Sequence, residues 1–173
     1  AAYVMMAWRV AYCKVFYPLA YYCAYFSIRA DAFDYEKMAM GRERLEYYLD
    51  IYKAKKADGT IEKTELDEYK DMRIVQEMYA RGYEFTPIDI YKAKARSFQI
   101  IDGKIMPSFK VVSKIGESAG ESIEIAARGG KFLSKDDLRQ RAKIGQTVID
   151  KLSELKLLDG MAESNQLSLF DVL

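Results

Sequence analysis

The sequence predicts a mainly α-helical chain with one small antiparallel β element. Three observations lead there. Apolar residues recur at helical spacing along most of the chain. An Asp102-Gly103 pair sits between two extended runs, the strongest short hairpin signal. A Lys-Ile-Gly triplet occurs twice, each time ahead of a helix-like stretch.

The elements follow in order. Ala2 to about Phe16 reads as a helix that is apolar nearly all round, and Pro18 opens a second one running to about Arg29. Helices of this kind are normally buried by neighbours. Such neighbours are missing from the chain, which also begins at Ala1 inside an apparent helix, so a fragment of a longer protein is expected. The apolar run is not read as a membrane span: Arg9 and Lys14 interrupt it, and Pro18 divides it into pieces too short to cross a bilayer. No basic leader precedes it, so it is not a signal peptide either.

From Asp34 to about Lys56, Met38, Leu45, Tyr48, Leu49 and Tyr52 mark one helical stripe, which Asp58-Gly59 breaks. The next helix is expected from about Ile61 to Arg81, with Leu66, Tyr69, Met72, Val75 and Met78 inward and Gly82 as its C-terminal stop. Glu62, Glu65 and Glu68 are expected on its solvated face. Glu84 to Pro87 reads as extended. Ser97–Ile101 and Lys104–Phe109 flank the Asp102-Gly103 turn, an element too small to carry a fold alone.

Phe109 to Leu158 reads twice in the same way. One copy centres on Lys114-Ile115-Gly116 and the other on Lys143-Ile144-Gly145, each followed by apolar residues at helical spacing. Ser134 and Asp137 form a capping box for a helix between the copies. The pattern resembles a tandem helix-hairpin-helix module, in which a glycine-containing corner presents backbone N–H groups at a helix start to DNA phosphates. Free N–H donors and the positive end of a helix dipole attract an anion. Glycine at the corner is expected to supply a positive φ and room for close approach. The family commonly has Gly-hydrophobic-Gly, so Lys114 and Lys143 replace its first glycine, and Gly120 stands where alanine is usual; one corner could be purely structural.

The resemblance implies DNA-binding residues Lys114, Ile115, Gly116, Glu117, Ser118 and Gly120 at the first corner. At the second it implies Lys143, Ile144, Gly145, Gln146 and Thr147. Lys110, Arg128, Lys131, Arg139 and Arg141 would add positive field. Such contacts position duplex DNA without reading its sequence.

Composition narrows the chemistry. Half of the 173 residues are hydrophobic and the net charge is +1, so the chain is globular and any nucleic-acid contact must come from local geometry. The absence of histidine removes histidine bases, nucleophile partners and metal ligands. Cys13 and Cys23 lack metal-ligand spacing and read as buried free thiols in a reducing cytoplasm. No cofactor is expected for the chain itself.

A tail starting around Met161 carries Gln166, Leu167, Ser168, Leu169 and Phe170. A short polar segment with apolar anchors reads as a peptide docking into a partner's pocket, or as a segment folding back on its own domain. QLSLF resembles the pentapeptide by which bacterial replication proteins bind the sliding clamp. That resemblance implies Leu167, Leu169 and Phe170 in apolar subsites and Gln166 at the rim.

The opening AAYVMMAWRVAYCKVFYPLAYYCAYFSIRADAFDYE resembles the end of the fingers of C-family replicative DNA polymerases of the Gram-positive PolC type. The block EMYARGYEFTPIDIYKAK, the hairpin, the tandem module and QLSLF follow in that family's order. The chain is thereby similar to a C-terminal fragment of a DNA polymerase III alpha subunit. The resemblance implies a fingers remnant over residues 1–33, a helical pair over 34–82, a duplex-binding domain over 83–160 and a clamp-binding tail over 161–173.

It also implies duplex DNA, the sliding clamp and the remainder of the polymerase as partners, with no membrane. The whole enzyme would be a nucleotidyltransferase using magnesium. Its metal-binding carboxylates belong to the palm ahead of Ala1, so this fragment is expected to be inactive alone. Arg9, Lys14 and Tyr17 match polar positions near the nucleotide or template; alternatively Tyr17, Tyr21, Tyr22 and Tyr25 form an aromatic core stripe. Two other readings fit the residues: a stand-alone helix-hairpin-helix module of a repair protein, and a protein-interaction scaffold.

Overall fold

The structure, a computed structural model, describes residues 1–164. It is mainly helical with one two-stranded antiparallel sheet. Helices α1 (Ala2–Phe16) and α2 (Pro18–Ile28) meet at Tyr17, with Pro18 in the first turn of α2, where its missing N–H costs nothing. Only one face of α2 is buried, through Tyr22 and Phe26, and α1 has no buried residue. Tyr3, Val4 and Trp8 are 91%, 73% and 66% exposed. What fixes α1 lies at its C-terminal end: Lys14 pairs with Glu77 at 2.8 Å, and Arg81 donates to the Lys14 carbonyl at 3.0 Å. Among the described residues no helix is long and apolar enough to cross a membrane.

The helix expected from Asp34 to Lys56 is two. Asp34 caps a four-residue α3 (Tyr35–Met38) by accepting from the Lys37 N–H at 2.9 Å. The chain then turns at Gly41, whose φ of +109° lies outside what a side chain tolerates, and α4 (Arg42–Ala57) begins. Tyr35, Met38, Leu45, Leu49 and Tyr52 are all buried, so the stripe is continuous in space although the helix is not. Of the glutamates assigned to a solvated face, Glu62 is exposed at the N-cap of α5 (Lys63–Ala80), whereas Glu65 and Glu68 are half-buried and have partners. Glu65 accepts from the Glu62 N–H at 3.1 Å, closing the N-terminus, and pairs with Lys55. Glu68 accepts from Lys37 and from the Tyr52 hydroxyl, both at 2.6 Å. With Glu46 and Gln76 joined at 2.9 Å, these contacts zip α4 and α5 together antiparallel.

Asp71 on α5 is 6% exposed and accepts from the Ala32 N–H at 3.2 Å, pinning the link between α2 and α3. Burial, helped by Asp31 and Asp67, pushes its carboxyl up to about 6 from 3.8, against the pull of the Ala32 N–H. Because the folded-state value is the higher, Asp71 favours the fold at low pH, and that contribution is lost as pH rises from about 4 to about 6. Asp71→Asn should therefore stabilise the chain at pH 7–8 by on the order of 2 kcal/mol at most, and by much less at pH 4. Urea titrations at the two pH values check this; an equal shift at both would reject it.

Strands β1 (Gln99–Ile101) and β2 (Lys104–Met106) pair with Ile100 opposite Ile105. Asp102 and Gly103 both take positive φ, 49° and 76°, the geometry that matches hairpin twist. Both strands are shorter than expected, and Pro107, lacking an N–H, follows the end of β2. Phe85 adds a single parallel bridge to Ile105. Four rings, Phe26, Phe33, Phe85 and Phe98, pack with centroids between 5.1 and 6.4 Å apart, joining α2, the link after it and the sheet. Buried side chains form one cluster running from Tyr22 to Leu158.

Three further helices complete the described chain: α6 (Glu117–Arg128), α7 (Lys135–Ala142) and α8 (Gln146–Glu154). Ser134 caps α7 by accepting from Asp137 N–H at 3.1 Å; the Asp137 carboxylate reaches back to the Leu133 N–H at 3.0 Å, one residue beyond the N-cap N–H of a regular box. The chain stays paired three residues into the segment expected to be tail. Ala162 bridges Ser134, and Glu163 binds Lys135 at 2.5 Å. The proposed clamp peptide, Gln166 to Phe170, lies outside the described residues. Of the two cysteines, Cys13 is exposed and Cys23 half-buried, so Cys13 departs from the buried thiol expected.

Candidate nucleic-acid interface

The doubled triplet folds twice into one geometry. Lys114 and Lys143 both adopt left-handed backbone, with φ of 65° and 52°. Ile115 and Ile144 turn inward and are 3% and 8% exposed, anchoring each corner in the core. Gly116 and Gly145 follow as N-cap residues of α6 and α8, with φ of −67° and −75°. The positive φ expected at these glycines therefore falls on the lysines before them.

That shift sharpens the question of why glycine is there. Neither glycine needs its conformational freedom, since any residue adopts these angles. Neither is packed: a Cβ added at Gly116 or Gly145 meets nothing within 4 Å. Both are exposed, and no side chain caps the helix that starts there. The two corners offer open space over helix N-termini, whose backbone N–H groups carry the positive end of the helix dipole. Such a surface takes an anion at short range.

The corners differ in what surrounds them. The first is preceded by a single 3-10 turn, Phe109–Val111, in place of a helix. Glu117 opens α6, and with Glu121 it is held by Arg96 at 2.5 and 2.7 Å. Glu124 fixes α6 to the preceding loop by accepting from Ala95 N–H at 2.9 Å and pairing with Lys94 and Arg128. The Ala95 N–H, together with Arg128 and Lys94, holds its carboxyl below the usual range despite burial. The second corner lies between two true helices, and the first turn of α8 has no acid, only Gln146 and Thr147. It is the more electropositive of the two by composition.

The expected site residues thus separate. Lys114 and Lys143 are exposed, and among the described residues neither has an ion-pair partner. Gly116, Glu117, Ser118, Gly145, Gln146 and Thr147 line the two open corners. Arg139 is exposed beside the second, with its guanidinium 3.2 Å from Gln146 Oε1. Lys131 is exposed on the loop before α7. Lys110 pairs with Asp31 at 3.6 Å, and Arg128 with Glu124 at 2.8 Å.

Besides Ile115 and Ile144, two more of the expected residues are committed internally. Gly120 is buried so tightly that an added Cβ would sit 2.9 Å from Phe109 Cβ. Arg141 lies 4.5 Å over the Phe132 ring and donates to the carbonyls of Ala126, Gly130 and Lys131. Neither faces the open corners' solvent side.

Near the N-terminus, Arg9 and Tyr17 line an open apolar trough of about 730 Å³ between α1 and α2, with Tyr21, Tyr25 and Arg29. Lys14 turns away from it toward Glu77. The aromatic stripe divides: Tyr22 is buried, Tyr21 and Tyr25 are half-buried, and Tyr17 is exposed. Residues outside the expected set also bear on the corners, above all Glu36, Ser113 and Lys151. Val148, Leu152 and Leu155 flank Lys151 at helical spacing, the one sequence signal that would place this position inward.

Residues 82–167 match the family described as "Helix-hairpin-helix motif". The whole chain is 42% identical to "DNA polymerase III PolC-type" of Streptococcus pneumoniae serotype 2 (strain D39 / NCTC 7466), of which it spans 12%. It is 44% identical over 171 residues to the protein of the same name from Streptococcus suis (strain 98HAH33), and 42% over 171 residues to that of Streptococcus thermophilus (strain ATCC BAA-491 / LMD-9). These two alignments take in 99% of the chain and 12% of each relative.

Proposed function

The chain belongs to the PolC-type DNA polymerase III family, and from that premise we propose that it is a grip-and-tether segment of a replicative polymerase. Its two glycine corners hold duplex DNA by the phosphates, and Gln166 to Phe170 attach it to a sliding clamp. The observation that carries the DNA reading is the pair of glycines required neither by φ nor by packing, each opening an uncapped helix. The acid-free start of α8 favours the second corner as the stronger contact.

The segment supplies binding rather than chemistry. Among the described residues no three Cys, Asp or Glu side chains are placed to hold a metal ion. The magnesium expected of the whole polymerase finds no such ligand set among these residues. The exposed apolar surface of α1 suits burial against the remainder of the polymerase. Two weak contacts on one chain reinforce each other, because the second acts at an effective concentration of about mM and raises overall affinity roughly a hundredfold or more.

The lysines provide the test. Lys114→Gly and Lys143→Gly together remove two cations and relieve left-handed backbone at two non-glycine residues. The chain should gain about 1 kcal/mol in a urea titration. Its affinity for random duplex DNA should fall, with the log–log salt slope flattening by roughly one unit per lost phosphate contact. An unchanged slope would remove these lysines from the interface. Failure of the parent chain to bind duplex in low salt would favour a scaffold with no DNA role.

A further inference from the structure

Side chains next to both corners meet at one carboxylate oxygen. Glu36 sits on α3, far from either corner in sequence. Its Oε1 accepts from the Ser113 hydroxyl at 3.0 Å, and Ser113 is the residue immediately before Lys114. The same oxygen pairs at 2.6 Å with the Lys151 ammonium, which projects from α8 within two turns of Gly145. Lys151 is 5% exposed, and its other partner, Glu154 at 3.2 Å, is itself 61% exposed. Glu36, 23% exposed, is the better shielded of its two carboxylates and so is the partner that fixes its position.

The anchor point is itself rigid. Tyr35 and Met38 on either side of Glu36 are 4% and 0% exposed, and Asp34 caps the helix. Burial pushes the Glu36 carboxyl up, but Lys151 and Ser113 outweigh it and hold it below the ordinary range. Glu36 is therefore ionised throughout the neutral range, and both contacts are charge-assisted.

We propose that Glu36 is a positioning residue that sets the separation of the two glycine corners, so that both meet phosphates of the same duplex. The inference rests on the DNA reading above for its consequence, but not for its geometry. Two corners at a fixed spacing bind one backbone with the entropy of the second contact already spent, whereas two loosely related corners do not.

The test takes the 173-residue chain with Cys13→Ser and Cys23→Ala, and nitroxide labels on Lys114→Cys and Lys143→Cys. Pulsed dipolar spectroscopy should give one narrow label–label distance distribution in the parent background and a broadened one with Glu36→Gln. Unlabelled Glu36→Gln should bind random duplex about tenfold more weakly, with a salt slope reduced by roughly one to two units. Circular dichroism would report the helices as formed. Should Glu36→Gln fail to fold, Ser113→Ala breaks one arm of the link without leaving a buried charge, and it should broaden the distribution in the same direction.

A distribution equally narrow in parent and variants would overturn the proposal, as would broadening with no change in affinity or slope. A parent chain that does not bind duplex at all would defeat the DNA reading and the consequence drawn from it, while the distance measurement still decides whether Glu36 sets the spacing.

Discussion

Gly145→Asp is expected to fold at least as well as the parent chain and to lose duplex binding by about tenfold or more. The two halves of this result come from the same geometry. Gly145 has ordinary backbone angles and empty space where a Cβ would go, so the substitution meets no strain and no clash. Aspartate is moreover among the best N-cap residues; its carboxylate can accept from the first-turn N–H groups of α8, worth a few tenths of a kcal/mol over glycine. Those N–H groups are the ones assigned to phosphate. A carboxylate seated on them fills the site and repels the backbone of DNA. Urea titration and fluorescence anisotropy with a random duplex measure the two halves separately. A variant that is stabilised yet binds with parental affinity would show that α8 does not face DNA. Gly116→Asp should act in the same direction but less strongly, because Glu117 already stands in the first turn of α6.

Removal of Gln166 to Phe170 should abolish clamp binding while leaving duplex affinity within about twofold. Short docking peptides concentrate their binding energy in a few apolar anchors, so loss of Leu167, Leu169 and Phe170 leaves nothing for a pocket to hold. The corners, in contrast, keep every residue assigned to DNA. Pull-down on immobilised clamp and anisotropy on duplex report the two activities independently. Clamp capture that survives the deletion would move the tether elsewhere on the chain, and a parallel loss of DNA affinity would mean that the last residues support the fold.

Much of this arrangement is legible in the sequence where one residue dictates one backbone event. Pro18 separates two helices, Asp102-Gly103 makes the hairpin, and the repeated triplet announces two equivalent corners. What escapes is tertiary. The stripe from Met38 to Tyr52 keeps helical phase across Gly41, so periodicity alone cannot reveal the break there. The acids of α5 look solvated by pattern, yet Glu68 faces Lys37 and Tyr52, partners fixed only by the packing of α3 and α4. Positive charge is equally ambiguous: Arg141 and Lys143 are two residues apart, but one is spent on internal carbonyls and the other faces solvent. The triplet itself misleads in one respect, since the residue that bends left-handed is lysine, not glycine.

The short bridge between Ser134 and Ala162 has a mechanical consequence. It fastens the chain beside the start of α7 as late as Glu163, which is bound to Lys135. From there to Gln166 the chain has only three peptide units, a span of at most roughly 10 Å. If the proposed clamp peptide begins its contact at Gln166, the clamp is held close against this end of the protein, and inserting glycine and serine after Glu163 should weaken the coupling of clamp and duplex binding.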